Sequence, residues 1–552
     1  MLHLRALTIL FAVAIALSCG DRGFAHEKVQ AKRHVVVVVW DGMRPDFVSK
    51  ENTPALWKLA QEGVIFRNHR AVYPSATMVN GTALVTGMYP GKSGIIANQE
   101  YRPEIDRKHP VFVEIPAVVE KGDQLSGGKY ISFPTIAELV QKAGERTAIA
   151  ATKTVGLLLD RQFGVRRQDG AFGLQGELSP HGKRQHVAAL QNGVTLFVGK
   201  ALPPDALAPI VAALGPFPSA HLQQDAWTTK ALTEFLWKES VSAFSVLWLG
   251  NPDLTEHESA PGASAALAAI KASDENLATV LAALDQRKAR ETTDVFVVSD
   301  HGFSTIERSV DLLKILRDAG FSAQTEFTDE PKRGDIMLAG NGGSVLFYVE
   351  GHDPDVTRRL VEFLQQTDFA GVIFTRQPLP GTFNLNEAEI DCRHAPDVVM
   401  AFRWNEKKNQ FGIAGMIDAD WQRGAGKGTH ATLSRFDMHN TLIAAGPDFH
   451  RGKMTDLPSG NVDLAPTILR ILGITPPQQL DGRVLSEAMV NIDPATPGLK
   501  SENKTIEATK DFPSGSWRQS LRISRVGSTI YLDEGNGEFS PKQGAAFSHG
   551  PP

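Results

Sequence analysis

The chain has 552 residues, 42% of them hydrophobic and 22% charged, an ordinary globular balance with ample apolar material for a large core. A net charge of -5 gives no electrostatic case for nucleic-acid binding, and two cysteines, Cys19 and Cys392, exclude a disulfide framework. The length allows several domains, although large α/β enzymes often exceed that prior as one elaborated unit.

At the N-terminus Arg5 precedes an apolar stretch over 6–18, too short to span a bilayer and suited to a signal-peptide core. Small residues before His26 fit cleavage after Ala25, so residues 1–25 are expected to be a signal peptide and the mature protein periplasmic or extracellular. Ala16-Leu17-Ser18-Cys19 loosely resembles a bacterial lipobox, which makes Cys19 a candidate lipid anchor. No later segment is long and apolar enough for a transmembrane helix.

The strand-like run His34–Trp40 (HVVVVVW) leads to Asp41. Pro54–Glu62 has helical spacing and ends at Gly63, and a short strand over 64–67 leads to a helix starting near Thr77. A helix over 133–143 closes at Gly144 and is followed by strand Thr147–Ala151, the alternation of a doubly wound fold. Residues of about 160–224 read as an irregular insertion rich in Gly and Pro. A helix over 227–238 precedes a second buried run, 243–249, shortly before Asp253. The strongly helical stretch 264–287 feeds a third run, 294–299, which delivers Asp300. Continuous β-branched and aromatic runs suit strands covered on both faces of a mostly parallel sheet.

From 304 to 424 the pattern changes to short strands, among them Ser344–Val349 and 397–403, with a helix over 354–366. This predicts a smaller α/β cap inserted between a first core part, 26–303, and a return over 425–490 that carries a strand at 440–445 and a helix at 462–472. The polar tail, 491–552, holds one strand-like pair at 521–526 and 529–532, either a small edge hairpin or part of a disordered segment.

In open α/β sheets ligands bind at the carboxyl ends of the strands. Three aspartates at one such edge, with histidines beside two of them, predict a metal site. Asp253 and His257, four apart, share one face of a helical turn and can reach one ion; zinc accepts such mixed sets of imidazole and carboxylate. Thr77 opens a helix where amide N–H groups and the helix dipole favour phosphate oxygens, and Gly428-Thr429-His430 can bring a further imidazole in from a glycine-rich loop. Each feature alone has a dull explanation, a turn cap, a helix cap or a solvated loop histidine. Their joint occurrence does not.

The order Asp41-Gly42, Thr77, Asp253-x-x-x-His257, Asp300-His301-Gly302, Gly428-Thr429-His430 resembles the alkaline phosphatase superfamily, in particular its type I phosphodiesterase/nucleotide pyrophosphatase branch. Leu84-Val85-Thr86-Gly87-Met88-Tyr89-Pro90, Ala445-Gly446-Pro447-Asp448-Phe449 and Asp463-Leu464-Ala465-Pro466-Thr467 add to the resemblance. It implies an alkaline-phosphatase-like α/β fold with helices on both faces of the sheet, and two divalent metal ions, zinc by donor type. One ion would be held by Asp253, His257 and His430, the other by Asp41, Asp300 and His301 with Thr77 as reactive ligand. Asn80 is implied to donate to a phosphoryl oxygen. Two departures concern the substrate: Met78-Val79-Asn80-Gly81 replaces Phe-Pro-Asn-His, and Glu256 stands where glycine is usual before the histidine.

The implied activity is hydrolysis of a small-molecule phosphodiester or nucleotide pyrophosphate through a phosphoryl-threonine. A phosphomonoesterase is the rival. It would add a cation for the extra phosphate charge, for which Lys153 is a weak candidate beside its reading as a surface lysine. A phosphonoacetate-type hydrolase has the same ligands, and an exported metal-binding protein without catalysis is the non-enzymatic alternative.

Overall fold

The structure is a computed structural model that describes residues 32–160, 192–490 and 498–542. The expected signal peptide with Cys19, and residues 161–191 of the expected insertion, lie outside the described residues. Among the described residues no helix is long and apolar enough to cross a membrane.

Nine strands form the central sheet in the order Lys453–Thr455, Val64–Phe66, Leu442–Ala445, Thr293–Val298, His34–Trp40, Phe244–Leu249, Thr147–Ala151, Gly193–Phe197, Lys200–Leu202. Its four central strands are β1 (His34–Trp40), β2 (Thr147–Ala151), β3 (Phe244–Leu249) and β4 (Thr293–Val298). β1 runs parallel to β4 (Val35 opposite Asp294) and to β3 (Val35 opposite Phe244), and β2 runs parallel to β3. Leu442–Ala445 and Lys200–Leu202 run antiparallel to their neighbours, so the sheet is mostly parallel, as expected.

Alternate residues of β1 enter two different cores. Val35, Val37 and Val39 pack with Ile136, Leu464 and Ile468, whereas Val36, Val38 and Trp40 pack with Leu56, Ile270 and Leu277. Helices on both faces therefore explain a run without polar alternation, each buried valine contributing roughly 1.5–3 kcal/mol. Because β1, β3 and β4 are parallel, Asp41, Asp253 and Asp300 leave the sheet at the same edge.

Two elements differ from the sequence reading. The helix expected over 227–238 is an α-helix, His221–Lys230, that widens into a π-helical turn, Ala231–Leu236. Within the expected irregular insertion, Gly193–Phe197 and Lys200–Leu202 complete the sheet edge; Val198 and Gly199, both at positive φ, turn the chain between strands too short to show periodicity.

A six-stranded sheet (Ala323–Gln324, Ile336–Gly340, Ser344–Val349, Val398–Phe402, Ala370–Thr375, Phe383–Asn384) carries helix Pro354–Leu364, whose Leu360, Val361 and Leu364 pack into its core. The C-terminal residues form three long antiparallel strands, Ser501–Phe512, Gly515–Val526 and Thr529–Pro541, rather than one short hairpin. Trp517 and Phe539 of this sheet join the same core, and Gln519 exchanges two hydrogen bonds with the Ile373 backbone.

Glu100, Arg102 and His394 form a buried charge cluster. Arg102 Nε donates to Glu100 Oε2 at 2.8 Å, and His394 Nε2 lies 3.4 Å from the same oxygen and 3.6 Å from Cys392 Sγ. Burial raises the Glu100 carboxyl, but Arg102 and then His394 outweigh it and bring it down to about 2. Burial lowers the His394 imidazole, yet Cys392 and Glu100 bring it up to about 9. A depressed acid stabilises above its ordinary 4.5 and loses that contribution as pH falls towards 2. A raised imidazole stabilises below its ordinary 6.5 and loses that contribution as pH rises through 9. The stability difference between the protein and His394→Phe is therefore expected to be largest near about pH 6, on the order of 2–3 kcal/mol, and to shrink towards about pH 10. A difference that stays flat over that range in thermal melts would show that His394 carries no charge in the fold.

Candidate active site

At the sheet edge, close packing of loops sets where each carboxylate lies. Gly42, after β1, has φ +75, and a Cβ there would fall 2.9 Å from the Phe303 ring and 3.1 Å from Asp253 Cβ. Without a side chain, its amide reaches Asp300 Oδ1 at 3.0 Å. The Asp253 amide donates to the Asp41 carbonyl at 3.0 Å, so the loops after β1 and β3 are tied directly. Asp225 holds the turn after β3, accepting from the Gly250 amide at 2.7 Å and the Asn251 amide at 3.2 Å. Helix α1, Thr77–Thr86, opens at Thr77, and helix α2, Asp253–Ser259, places His257 one turn beyond Asp253.

Two groups of side chains converge: Asp253, His257 and His430, and Asp41, Asp253 and His301, the ligand atoms of each lying within 4.8 Å of one another. Asp300 joins them, its Oδ2 being 3.2 Å from His301 Nε2. All of these residues except His257, which is half-buried, are buried.

The hydrogen bonds around the groups leave an unfilled electrostatic demand. His257 Nδ1 lies 3.0 Å from the Gly428 carbonyl, His301 Nδ1 2.8 Å from that of Gly302, and His430 Nδ1 2.8 Å from that of Ser75. A carbonyl only accepts, so each Nδ1 carries the proton and each Nε2 presents a lone pair. Those lone pairs face carboxylate oxygens: His257 and His430 lie 3.2 and 3.4 Å from Asp253 Oδ1, and His301 lies 3.6 Å from Asp41 Oδ1. Asp41 Oδ1, Asp253 Oδ1 and Asp300 Oδ2 are buried and have no hydrogen-bond donor. Their partner oxygens are held by Trp248 Nε1, Lys153 Nζ and the Gly42 amide. Acceptors facing acceptors suit divalent cations, and the nitrogen and oxygen donors fit zinc.

Burial, then the Asp300 carboxylate, raises the Asp41 carboxyl well above its ordinary value. Burial, then His301, holds the His430 imidazole well below its ordinary value, in the neutral form that ligates. Glu256, the acid in place of the usual glycine, is buried and brought up to about 8, chiefly by burial.

Thr77 lies at the first turn of α1, its Oγ1 3.3 Å from His301 Nε2 and 3.4 Å from Lys153 Nζ. Lys153 is not a surface lysine: its ammonium also lies 3.0 Å from Asp41 and 2.9 Å from Asp253. Burial lowers its pKa, but Asp253 and Asp41 outweigh that and raise it above the usual lysine value.

Asn80, implied to donate to a phosphoryl oxygen, makes its side-chain hydrogen bonds within the protein. Its Nδ2 donates to the Val72 and Ala76 carbonyls, both at 3.0 Å, while its Oδ1 accepts from the Val72 amide at 2.6 Å and from Asn461 at 2.9 Å. Both amide hydrogens are spent on backbone, and these bonds shape the entry into α1. Asn98, which the sequence reading passed over, sits at that helix end. Its Oδ1 accepts from the Met78 amide at 2.9 Å, and its Nδ2 donates to no described residue. Nothing in the local sequence of this loop distinguishes Asn98; only the fold brings it beside Thr77. Phe303 was passed over too: its ring packs against His257, His301 and His430 at centroid distances of 4.9, 6.2 and 5.4 Å.

The family described as type I phosphodiesterase/nucleotide pyrophosphatase matches residues 35–407 of this chain. Among curated proteins, the mouse bis(5'-adenosyl)-triphosphatase is 32% identical over 75 residues, 14% of this chain and 16% of the relative. Human ectonucleotide pyrophosphatase/phosphodiesterase family member 1 is 37% identical over 68 residues, 12% of this chain and 7% of the relative. The matches thus span at most about a sixth of these two relatives. Among solved structures, an inactive threonine-to-alanine variant of murine ectonucleotide pyrophosphatase/phosphodiesterase 5, in complex with AMP, superposes with a TM-score of 0.55 at 16% identity. That superposition covers 81% of this chain and 96% of the other.

Proposed function

This chain belongs to the type I phosphodiesterase/nucleotide pyrophosphatase family, and we propose that it is an exported, metal-dependent hydrolase of phosphodiester or pyrophosphate bonds acting through a phosphoryl-threonine at Thr77. The observation that carries this reading is the position of Thr77 Oγ1, 3.3 Å from His301 Nε2, beside two groups of acids and imidazoles whose orphaned acceptors face one another. Asp253, His257 and His430 would hold one divalent ion, and Asp41, Asp300 and His301 the other, with zinc the fitting element. When bound, such ions supply Lewis acidity that activates oxygen nucleophiles near neutral pH and offsets phosphoryl charge.

The chain's own groups do the rest. Thr77 Oγ1 would attack phosphorus in line; the bond to the leaving oxygen breaks as the Oγ1–P bond forms, and the hydroxyl proton ends, through solvent, on the leaving oxygen. Water would then attack the phosphothreonine from the vacated side; its oxygen bonds to phosphorus, the Oγ1–P bond breaks, and one proton of the water returns to Thr77 Oγ1. The Thr77 amide at the start of α1 and the Nδ2 of Asn98, whose Oδ1 already takes the Met78 amide, would donate to non-bridging oxygens as charge builds there.

One observation favours a second reading, a phosphomonoesterase. The Lys153 ammonium lies 3.4 Å from Thr77 Oγ1, where it would meet a phosphoryl oxygen. A monoester carries one charge more than a diester, so the cation favours the monoester. Rates on bis-p-nitrophenyl phosphate and p-nitrophenyl phosphate, with the zinc-loaded protein and Lys153→Met, test both readings. We expect diester preference in the unaltered protein, and a loss on the monoester about tenfold greater than on the diester in Lys153→Met. Monoester preference in the unaltered protein would move the assignment to phosphatase.

A further inference from the structure

A second cavity, of about 530 Å³, lies between the catalytic core and the C-terminal sheet, and none of the metal-ligating residues or Thr77 lines it. Trp57, Ile65, Phe66, Phe436 and Ile443 supply an apolar wall, and Trp57 remains 39% exposed. Five arginines line the same space, Arg44, Arg67, Arg70, Arg435 and Arg522, against one acid, Asp46. Arg44 is spent on Asp46 and on the Phe303 and Ala414 carbonyls, and the other carboxylates that pair with the arginines stand outside the lining. Arg67 meets Asp456 at 2.5 Å, Arg70 meets Asp533 at 3.0 Å, and Arg435 and Arg522 meet Glu534 at 2.6 and 3.1 Å. His439 completes the lining; its Nε2 is buried without a hydrogen-bond partner. Burial, followed by the charge of Arg70, lowers its pKa to about 4 and keeps it neutral.

We propose that this cavity is a binding site for an amphiphilic anion, a free acyl carboxylate whose chain covers the apolar wall and whose head is held by the arginines. Three features converge on that class. The volume falls within the range of about 300–1,000 Å³ typical of small-molecule sites. Forked guanidinium donors match a carboxylate in two-point geometry, and the ion pairs already made by Arg67 and Arg522 restrict their motion before any ligand arrives. An exposed tryptophan beside other apolar side chains favours a chain over a purely polar anion. With Glu406, 3.0 Å from Arg435, five carboxylates match the five arginines, so a diffuse attraction for any anion is not the driving force; wall and head group must both be present.

Calorimetric titration of the metal-loaded full chain with dodecanoate, below its micelle concentration, tests the site. Hexanoate and dodecyltrimethylammonium serve as controls for chain and charge. Saturable binding of one equivalent of dodecanoate is expected, with both controls about tenfold weaker or more. Trp57→Ala and the double variant Arg67→Gln/Arg522→Gln should each weaken dodecanoate about tenfold, with thermal melts confirming that both fold. Equal binding of the cationic and anionic amphiphiles, or unchanged dodecanoate affinity in both variants, would overturn the proposal. So would absence of dodecanoate binding, or co-sedimentation with phosphatidylcholine vesicles in its place, which would make the face a membrane-docking surface.

Discussion

Thr77→Ala is expected to lower kcat on the preferred ester by about 10⁴-fold or more while leaving metal content and folding intact. The hydroxyl is the only oxygen nucleophile on a side chain within hydrogen-bond reach of both His301 Nε2 and the Lys153 ammonium among the described residues. Its removal leaves all the carboxylates and imidazoles in place. Alanine is a better helix former than threonine at this first position of α1, and Ala76, the residue before it, contributes no side-chain cap that the change could disturb. The loss should therefore fall on kcat rather than on substrate binding. Thr77→Ser should retain part of the activity, since the hydroxyl persists with greater rotamer freedom. Acid-quenched protein should carry one phosphoryl mass increment on residue 77 in the threonine and serine forms and none in the alanine form. Turnover within about tenfold of the unaltered protein in Thr77→Ala would rule out the covalent route and leave direct attack by water.

The catalytic edge was readable because its physics is local. β1, β3 and β4 are covered on both faces, so their residues are apolar without alternation, and an aspartate directly after such a run stands out. The i,i+4 spacing of Asp253 and His257 likewise needs only helical geometry, which α2 provides. Other parts depend on packing that no single segment contains. Lys153 reads as a surface lysine at a strand end, and only the convergence of β1, α2 and α1 buries it among Asp41, Asp253 and Thr77. Asn80 and Asn98 differ by which one the fold leaves with a free amide nitrogen, a question of hydrogen-bond accounting that spacing cannot answer. The strand Ser501–Phe512 is exposed over its first five residues and only partly buried at Ile506, Ala508, Lys510 and Phe512, so its hydrophobic alternation is short and broken by a lysine. A continuous register with Gly515–Val526, whose own residues alternate between buried and exposed, holds it in the sheet.

Removal of metal should abolish activity yet leave the protein folded, and Lys153 explains the second half of that expectation. Stripping divalent ions leaves three buried carboxylate oxygens without a donor, facing the lone pairs of His257, His301 and His430. Each buried acceptor so abandoned costs about 1–3 kcal/mol. One cation remains: the Lys153 ammonium, 3.0 Å from Asp41 and 2.9 Å from Asp253, offsets part of that repulsion. Chelation is therefore expected to bring hydrolysis to background and to lower the Tm by several degrees without unfolding the chain at room temperature. Zinc should restore both, and titration with zinc should saturate at two equivalents; recovery with manganese at higher rates would reassign the element. In Lys153→Met the same treatment should be far more damaging, because nothing cationic is left between the two carboxylates, whereas the metal-loaded variant should melt close to the unaltered protein. Calorimetric melts of the four forms, with and without metal, measure this coupling directly. Undiminished hydrolysis at metal levels far below one equivalent would remove the ions from the reaction. Equal losses of Tm in the lysine and methionine forms would instead show that Lys153 does not hold the apoprotein's carboxylates apart.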